Sequence, residues 1–274
     1  MNNNNFSVLP FYKDINEQSH RRSYAYGDVY PLLCPLKRIL PFQIIQPRTT
    51  ATPSQIFIVD FVSGTETDIT SQMVATGYVD DVQCGNYYII TYQSLADLTA
   101  NIPQGRYYLH IKSTYNFGEE HYYSEVFTFT PDVSALLKIE WWDKENFIFD
   151  DGAIVYKYNN NAVKQYLYVA AELGKPDYTF EEEGESRDGY FFAEKQLSEK
   201  VYHFTMTAPE YLCDLMRFIR LADYVYVYDQ FGRTYKCDTF LITPKWLTQG
   251  DLAQVDCEFE TNTVAKRVGQ IITE

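Results

Sequence analysis

Hydrophobic and polar residues alternate in short runs between residues 42 and 130. Alternation with a period of two is typical of strands that bury one face, and turn residues such as Ser63 and Gly64 separate the runs. The runs recur at roughly ten-residue spacing without a long helical pattern, which predicts a β-sandwich over residues 41–131. The predicted strands are 42–46, 56–62, 87–92, 106–112 and 122–130.

One segment of this region gives the prediction more detail. Residues 102–111 read Ile-Pro-Gln-Gly-Arg-Tyr-Tyr-Leu-His-Ile. The segment resembles the fibronectin type III turn, in which an apolar residue, a proline and a glycine precede a tyrosine that opens a strand. The glycine-to-tyrosine spacing differs from that pattern by one residue. The resemblance implies that Tyr107, Leu109 and Ile111 face inward, with Tyr107 as a corner tyrosine. Residues 123–129 would form the last strand.

Residues 132–265 predict a second β-rich domain, with residues 266–274 as a C-terminal tail. Its segment 177–188 carries six carboxylates against one arginine, which predicts an exposed acidic loop. The fold class is therefore mainly β: an immunoglobulin- or fibronectin-III-like sandwich, followed by a β-rich domain with one packed helix. The predicted strands are 137–142, 146–149, 154–158, 165–170, 189–193, 200–205, 224–228, 239–243 and 252–260.

The helix is predicted over residues 208–223. Thr207 and Glu210 have the spacing of a capping box, and Pro209 lies in the first turn, where a missing N–H is harmless. Apolar residues then recur at helical spacing. These residues are Leu212, Leu215, Met216, Ile219 and Leu221.

The run Tyr-Val-Tyr-Val-Tyr at 224–228 is apolar on both of its faces. A strand of this kind is covered on both sides, by its own core and by a helix or a partner. We therefore expect Tyr224, Tyr226 and Tyr228 to contact another subunit.

Residues 1–40 predict an extended N-terminal arm. The segment has four asparagines in a row and several prolines, yet it holds many large apolar side chains, which a disordered tail lacks. It carries five basic and three acidic residues in a chain of net charge −14, so it could dock on an acidic neighbour. An uneven distribution of charged residues over the surface would give the same excess of basic residues in this segment. The candidate subunit-contact residues of the arm are Phe11, Tyr12, Arg21, Arg22, Tyr24 and Tyr26.

Composition narrows the class of protein. Aromatic residues make up 17% of the 274 residues, which fits either ordinary strand packing or large interfaces. The negative charge argues against nucleic-acid binding. The sequence has neither the pattern of a signal peptide nor an apolar run long enough for membrane insertion, so we expect synthesis in a cytoplasm. Cys213, Cys237 and Cys257 lie among strand-forming neighbours, and we expect buried free thiols there.

The sequence contains none of the catalytic motifs that we considered. It has no phosphate-binding glycine loop, no nucleophile elbow and no zinc-binding pair of cysteines, so we expect no catalytic, metal or cofactor-binding residues and no cofactor. Paired carboxylates occur, but any acidic chain offers them. Trp141 and Trp142 could form a sugar platform, although successive strand residues point to opposite faces and only one could join a given surface.

Several stretches resemble structural proteins of tailed bacteriophages, or prophages, of gut Bacteroidales. They are 9–14 with 20–27 in the arm, and 211–227, 241–246 and 255–260 near the end. The resemblance implies a tail or baseplate component that forms a ring around the tail axis and carries an immunoglobulin-like module for decoration or host contact. It transfers no functional residues.

The leading hypothesis is therefore a non-enzymatic virion structural protein of the tail. It would assemble into a symmetric homo-oligomer through β-domain and arm contacts, with other tail proteins as further partners. The alternative is a protein that binds carbohydrate on a host surface. An enzyme with an unrecognised site is a third possibility.

Overall fold

Strands dominate the computed structural model, and its only described helix is ten residues long. Its described strands form a large sheet of fifteen strands, a sheet of three and a sheet of two. The mainly β fold class predicted from the alternating pattern is confirmed. The structure describes residues 8–13, 32–36, 38–47, 54–80, 87–94, 98, 102–115, 118–143, 148–150, 155–157, 164–246, 252–261 and 265–268.

The described residues of the first half of the chain form ten strands and one turn of 3-10 helix, Thr70–Gln72. Three of the strands, β3, β7 and β6, form a separate antiparallel sheet. Phe11 of the large sheet packs against Phe42 of the small one, with ring centroids 4.9 Å apart, so the two sheets share a core. The strands are β1 Phe11–Tyr12, β2 Leu32–Pro35, β3 Phe42–Pro47, β4 Gln55–Asp60, β5 Glu66–Asp68, β6 Met73–Asp80, β7 Tyr87–Ser94, β8 Gly105–Tyr115, β9 Gly118–Ser124 and β10 Phe127–Thr130.

The corner tyrosine is confirmed. The hydroxyl of Tyr107 donates a hydrogen bond to the carbonyl oxygen of Pro103 at 2.9 Å. Tyr107, Leu109 and Ile111 are all buried, as the alternation along β8 requires. Gly105 lies beside the ring, and a Cβ there would be 3.3 Å from Cε2 of Tyr107, so a larger residue would have to shift the ring by a few tenths of an ångström.

The N-terminal arm needs a correction. Its described parts lie in the chain's own sheet: β1 pairs antiparallel with β9, and β2 pairs parallel with β10. Phe11 is 2% exposed and Tyr12 is 7% exposed, so neither side chain offers surface to another subunit. Strands β1 and β2 do lie on apolar residues, as expected, but those residues belong to the chain's own sandwich.

Where the structure describes the second half, it contains ten strands and helix α1, Glu210–Ile219. Strands β11, β14, β17, β18, β19, β16 and β15 continue the large sheet, which β2 joins through the pairing of Leu33 with Tyr168. The domain division at residues 131–132 stays a prediction. The strands are β11 Leu137–Trp142, β12 Ile148–Asp150, β13 Val155–Lys157, β14 Gln165–Val169, β15 Asp177–Arg187, β16 Tyr190–Pro209, β17 Tyr224–Tyr228, β18 Thr234–Trp246, β19 Leu252–Thr261 and β20 Ala265–Val268.

The predicted capping box is wrong, although the helix is present. Strand β16 stays paired with β19 as far as Pro209, so Thr207 lies in the ladder opposite Gln254 and cannot cap the helix. Pro209 is the N-cap residue and makes no side-chain hydrogen bond there. The helix ends at Ile219, which leaves Leu221 outside it and 61% exposed. Its apolar face packs on β16, β18 and β19.

Three predicted segments differ from the structure. The single strand expected at 122–130 is divided into β9 and β10, because β8 pairs with both and one extra residue bulges between them. The two strands expected at 189–193 and 200–205 are one strand, β16. The acidic segment 177–188 is exposed as expected, but it forms strand β15 rather than a loop.

Candidate functional site

A layer of tyrosines covers the outer face of the sheet where β11 lies between β14 and β17. Glu140 on β11 is directly opposite Tyr226 on one side and Tyr166 on the other. Lys138, two residues earlier on the same face, is opposite Tyr228 and Tyr168. We call this surface the tyrosine face. Its members are Tyr166, Tyr168, Tyr224, Tyr226, Tyr228, Lys138, Glu140 and Trp142.

Trp142 fills one corner of the tyrosine face. Its ring stacks on Tyr226 at 5.1 Å with a 7° angle between the planes, and on Tyr224 at 5.3 Å. The ammonium of Lys164 lies 4.0 Å from the Trp142 ring centroid. Trp141 points to the opposite face and is buried in the core, as strand geometry predicts. Of this pair, only Trp142 can take part in a sugar platform, and two tyrosine rings and Lys164 already lie against its partly buried ring.

Glu140 is the charged centre of the tyrosine face. One of its carboxylate oxygens contacts the ammonium of Lys138, and the other lies 3.3 Å from Lys164. The residue is only 7% exposed, so its desolvation is offset by two cations. Burial raises the pKa of Tyr228 and Tyr168 above the usual value for tyrosine, and the nearby negative charge of Glu140 adds to the rise.

A cavity of about 310 Å³ opens beside Glu140. It lies where the segment between β2 and β3 and the end of β7 meet the tyrosine face. The hydroxyl of Tyr166 donates a hydrogen bond to the carbonyl oxygen of Ile39 at 3.2 Å, which fixes one wall of the cavity. The polar and charged lining residues are Arg38, Gln93, Ser94, Lys138, Glu140, Lys164 and Tyr166.

The hairpin formed by β15 and the paired part of β16, residues 177–201, contains the longest fully exposed strand among the described residues. All eleven residues of β15 are exposed, and this strand lies at the end of the strand order of the large sheet. The pairing register places Tyr178, Phe180 and Phe191 on the same face of the hairpin, because Phe191 is opposite Ser186. Their exposed fractions are 59%, 76% and 54%.

The other face of the hairpin carries three carboxylates of β15. Glu181, Glu183 and Glu185 alternate with the aromatic positions along β15. Lys195 pairs with Glu183 at 3.1 Å, across the ladder. The aromatic side chains of the hairpin are thus flanked by charged ones on both faces, since Glu182 shares the face of Phe180 and Tyr190 lies opposite Arg187 on the other.

Sequence reasoning missed this hairpin, although a signal was present. Asp188 and Gly189 both have positive φ, 51° and 82°, as a two-residue type I′ turn requires. Asp-Gly flanked by strand formers is a strong hairpin signal. The density of carboxylates in 177–188 instead favoured a loop. As a result, Tyr178, Phe180 and Phe191 were not among the predicted contact residues.

The predicted contact residues are dispersed in the structure. Tyr224, Tyr226 and Tyr228 lie together on the tyrosine face and are half-buried by their neighbours there, while the Val225 and Val227 face packs in the core. Phe11 lies in the sandwich core on β1, and six strands separate β1 from β17 in the order of the large sheet. Arg21, Arg22, Tyr24 and Tyr26 lie outside the described residues.

In the described part of the chain, the cysteine thiols are buried, and the acidic side chains form no group that could hold a metal ion. Cys213, Cys237 and Cys257 are buried free thiols, as predicted, and Cys34 is buried as well. Burial raises the pKa of Cys213 to about 11 and those of Cys34 and Cys237 to about 12. Within the described ranges, no group of three or more His, Cys, Asp or Glu side chains is placed to hold a metal ion. No helix among these residues is long and apolar enough to span a membrane.

Comparisons with known proteins assign the chain to no family. No protein-family model matches it, and no curated protein sequence matches it. One similar solved structure is a chain from the crystal structure of Dpr2 Ig1-Ig2 in complex with DIP-Theta Ig1-Ig3. The likeness covers 89% of this chain and 96% of that chain, at 9% sequence identity and a TM-score of 0.14. A likeness this weak supports no inference about function.

Proposed function

We propose that this chain is a non-enzymatic structural protein of a virion tail or baseplate, which assembles into a symmetric ring of identical copies. The supporting observation is the aromatic face of the hairpin, where Tyr178, Phe180 and Phe191 are all more than half exposed. Three large aromatic side chains on one exposed face indicate a contact surface, because each gains about 1.5–3 kcal/mol when it is fully buried.

A second copy of this chain is the partner that the charges favour. The hairpin segment 177–188 carries six carboxylates and one arginine. The end of helix α1 presents exposed Leu221 close in sequence to exposed Arg217 and Arg220. Leu221 and the two neighbouring arginines complement the aromatic face of the hairpin, where carboxylates lie beside the aromatic side chains. The two surfaces in contact are different parts of the chain, so the contact between copies is head-to-tail. Successive head-to-tail contacts close into a ring when the rotation between neighbouring copies permits it.

The edge of the hairpin strengthens this proposal. Among the described strands, β15 pairs only with β16, so its outer edge is available for strand addition. Carboxylates along such an edge oppose indiscriminate pairing and restrict it to a surface of opposite charge. The contact between subunits is therefore proposed for the hairpin, whereas the described part of the N-terminal arm stabilises its own sandwich.

Sedimentation of the full chain tests the proposal. The wild-type protein should form an oligomer of defined size, and the double variant Phe180→Ser, Phe191→Ser should sediment as a smaller species with its melting temperature unchanged. The matched control is Phe231→Ser, which removes an equally exposed phenylalanine from the turn between β17 and β18. A wild-type protein that stays monomeric, or a double variant that assembles as the control does, contradicts the proposal.

The virion location needs its own test. Antibodies against the chain should label the tails and not the heads of phage particles in electron micrographs, and tape-measure and tail-tube genes should lie near its gene. Labelling of cell surfaces without particles would instead favour the host-surface-binding alternative.

A further inference from the structure

We propose that the cavity beside Glu140 binds the ring of a neutral hexose. The inference goes beyond the proposed structural role and does not depend on the assembly of copies into a ring. It rests on the compensated charges of the cavity, on the hydrogen-bonding groups that remain available there and on the size of the cavity.

The cations of the cavity are already compensated. Lys138 and Lys164 both contact the carboxylate of Glu140. Arg38, the third cation of the lining, has an interaction of its own. An anionic ligand would therefore gain no free positive charge, and the net charge of −14 of the chain would repel it. An apolar ligand would remove water from the ion pairs without replacing its hydrogen bonds, which costs free energy. A neutral ligand with many hydroxyl groups avoids both penalties.

Hydrogen-bonding groups remain available in two parts of the lining. An ammonium group has three N–H donors, and that of Lys164 makes one hydrogen bond, to Glu140 at 3.3 Å. The side chain of Lys164 is 50% exposed, so a further donor can reach a ligand. Gln93 on β7 is half-buried, and its side-chain amide has no hydrogen-bond partner within the described part of the chain. This amide offers both a donor and an acceptor, and each hydroxyl group of a sugar does the same, so neighbouring hydroxyls match these groups.

The size and the apolar part of the lining favour a ring. The volume of about 310 Å³ is at the lower end of the range for small-molecule sites, which is room for one sugar ring rather than a chain of sugars. Ile39 and Pro41 line the cavity beside the polar groups and can pack against the C–H face of a sugar ring. The hydrogen bond from Tyr166 to the carbonyl oxygen of Ile39 fixes this wall before binding, which reduces the ordering cost of binding.

Saturation-transfer NMR with the full chain tests the site, with the methyl glycosides of glucose, galactose and mannose as probes. At least one glycoside should bind saturably with a Kd of about 1 mM, as expected for a ligand of this size. Added salt should leave this affinity unchanged, because the ligand carries no charge. Glucuronic acid should bind no more tightly than the glucoside. Sorbitol, an open chain with similar hydroxyl groups, should bind more weakly, since it loses more conformational entropy on binding.

Two variants test the residues that are proposed to bind the sugar. Gln93→Leu should weaken binding about fivefold, and it leaves the ion pairs of Glu140 in place. Lys164→Met should weaken binding about tenfold, because a hydrogen bond from a charged donor is lost. The matched control is Lys245→Met, which removes the same charge from β18, where the lysine pairs with Asp256 and does not line the cavity. Its affinity for the glycosides should equal that of the wild type.

Four results overturn the proposal. The first is the absence of saturable binding by every glycoside up to ~50 mM. The second is glucuronic acid binding more tightly than the glucoside, and the third is sorbitol binding as tightly as the glycosides. The fourth is wild-type affinity in Gln93→Leu or Lys164→Met when the variant keeps the melting temperature of the wild type.

Discussion

Nε2 of His110 lies 2.9 Å from Nδ1 of His121, and Nδ1 of His110 lies 2.9 Å from a carboxylate oxygen of Glu66. Nε2 of His121 in turn lies 3.3 Å from Glu119. The two imidazoles therefore lie in a row between the carboxylates of Glu66 and Glu119. His110 also stacks on Tyr123, with ring centroids 4.7 Å apart, and it is 6% exposed.

This arrangement predicts that acid destabilises the protein. Burial lowers the pKa of His110 below its usual value, although the hydrogen bond to Glu66 acts in the opposite direction. In the unfolded chain His110 binds a proton with the ordinary histidine pKa of about 6.5, and in the folded chain it binds the proton only at lower pH. The free energy of unfolding should therefore have its full value above about pH 6.5 and should fall as the pH drops below it, by at most about 1.4 kcal/mol per pH unit.

Urea unfolding at roughly pH 7.5 and 5.5 measures the effect. His110→Phe retains an aromatic ring against Tyr123 and removes the titrating group, so the free energy of unfolding should depend less on pH than in the wild type. His203→Gln is the control, because His203 is exposed at the base of the hairpin and pairs with other carboxylates. An unchanged pH dependence in His110→Phe means that other groups cause the acid sensitivity.

The corner tyrosine predicts a measurable stability cost. Tyr107→Phe removes the hydrogen bond to the carbonyl oxygen of Pro103 and leaves the ring packing in place. The free energy of unfolding should fall by about 0.5–1.5 kcal/mol in urea titrations. Tyr190→Phe, at an exposed position in the hairpin, makes the same chemical change and should leave stability within about 0.5 kcal/mol of the wild type. Equal effects in both variants would show that the corner bond is not stabilising.

Substitutions of two buried glutamines should change the free energy of unfolding in opposite directions. Gln165 is 1% exposed, and its side-chain oxygen and nitrogen have no hydrogen-bond partner among the described residues. Gln165→Leu should therefore raise the free energy of unfolding by about 1–3 kcal/mol. The matched control is Gln43→Leu, because the buried Gln43 amide donates to the hydroxyl of Thr91 at 3.0 Å. That substitution should lower stability, since it leaves the threonine without this bond. If both variants are destabilised in thermal melts, Gln165 has a partner in solution.

The buried thiols predict slow chemical modification. Burial raises the pKa values of Cys34, Cys213, Cys237 and Cys257, so few thiolates exist near neutral pH and reagents reach them poorly. In a Cys84→Ser background, native protein should react with Ellman's reagent far more slowly than unfolded protein does. Unfolding in guanidinium should release all four thiols. Rapid reaction of any of them in the native state would contradict the buried positions.

The sequence by itself determined the local elements. Strict alternation placed β8 and its inward residues correctly, since a period of two allows only one face to be buried. The run Tyr-Val-Tyr-Val-Tyr became β17 with its predicted bounds, and apolar residues at helical spacing located α1. Trp141 and Trp142 lie on opposite faces for the same geometric reason.

Only the tertiary structure decided which elements meet. Local pattern cannot show that β1 and β2 complete the chain's own sheet, because that pairing joins residues more than 90 positions apart. The same long-range pairing extends β16 through Thr207 and displaces the predicted cap, and it sets Glu140 between two lysines and two tyrosines. Strand register depends on which faces can be buried together, and that is a property of the assembled sheet rather than of any single segment.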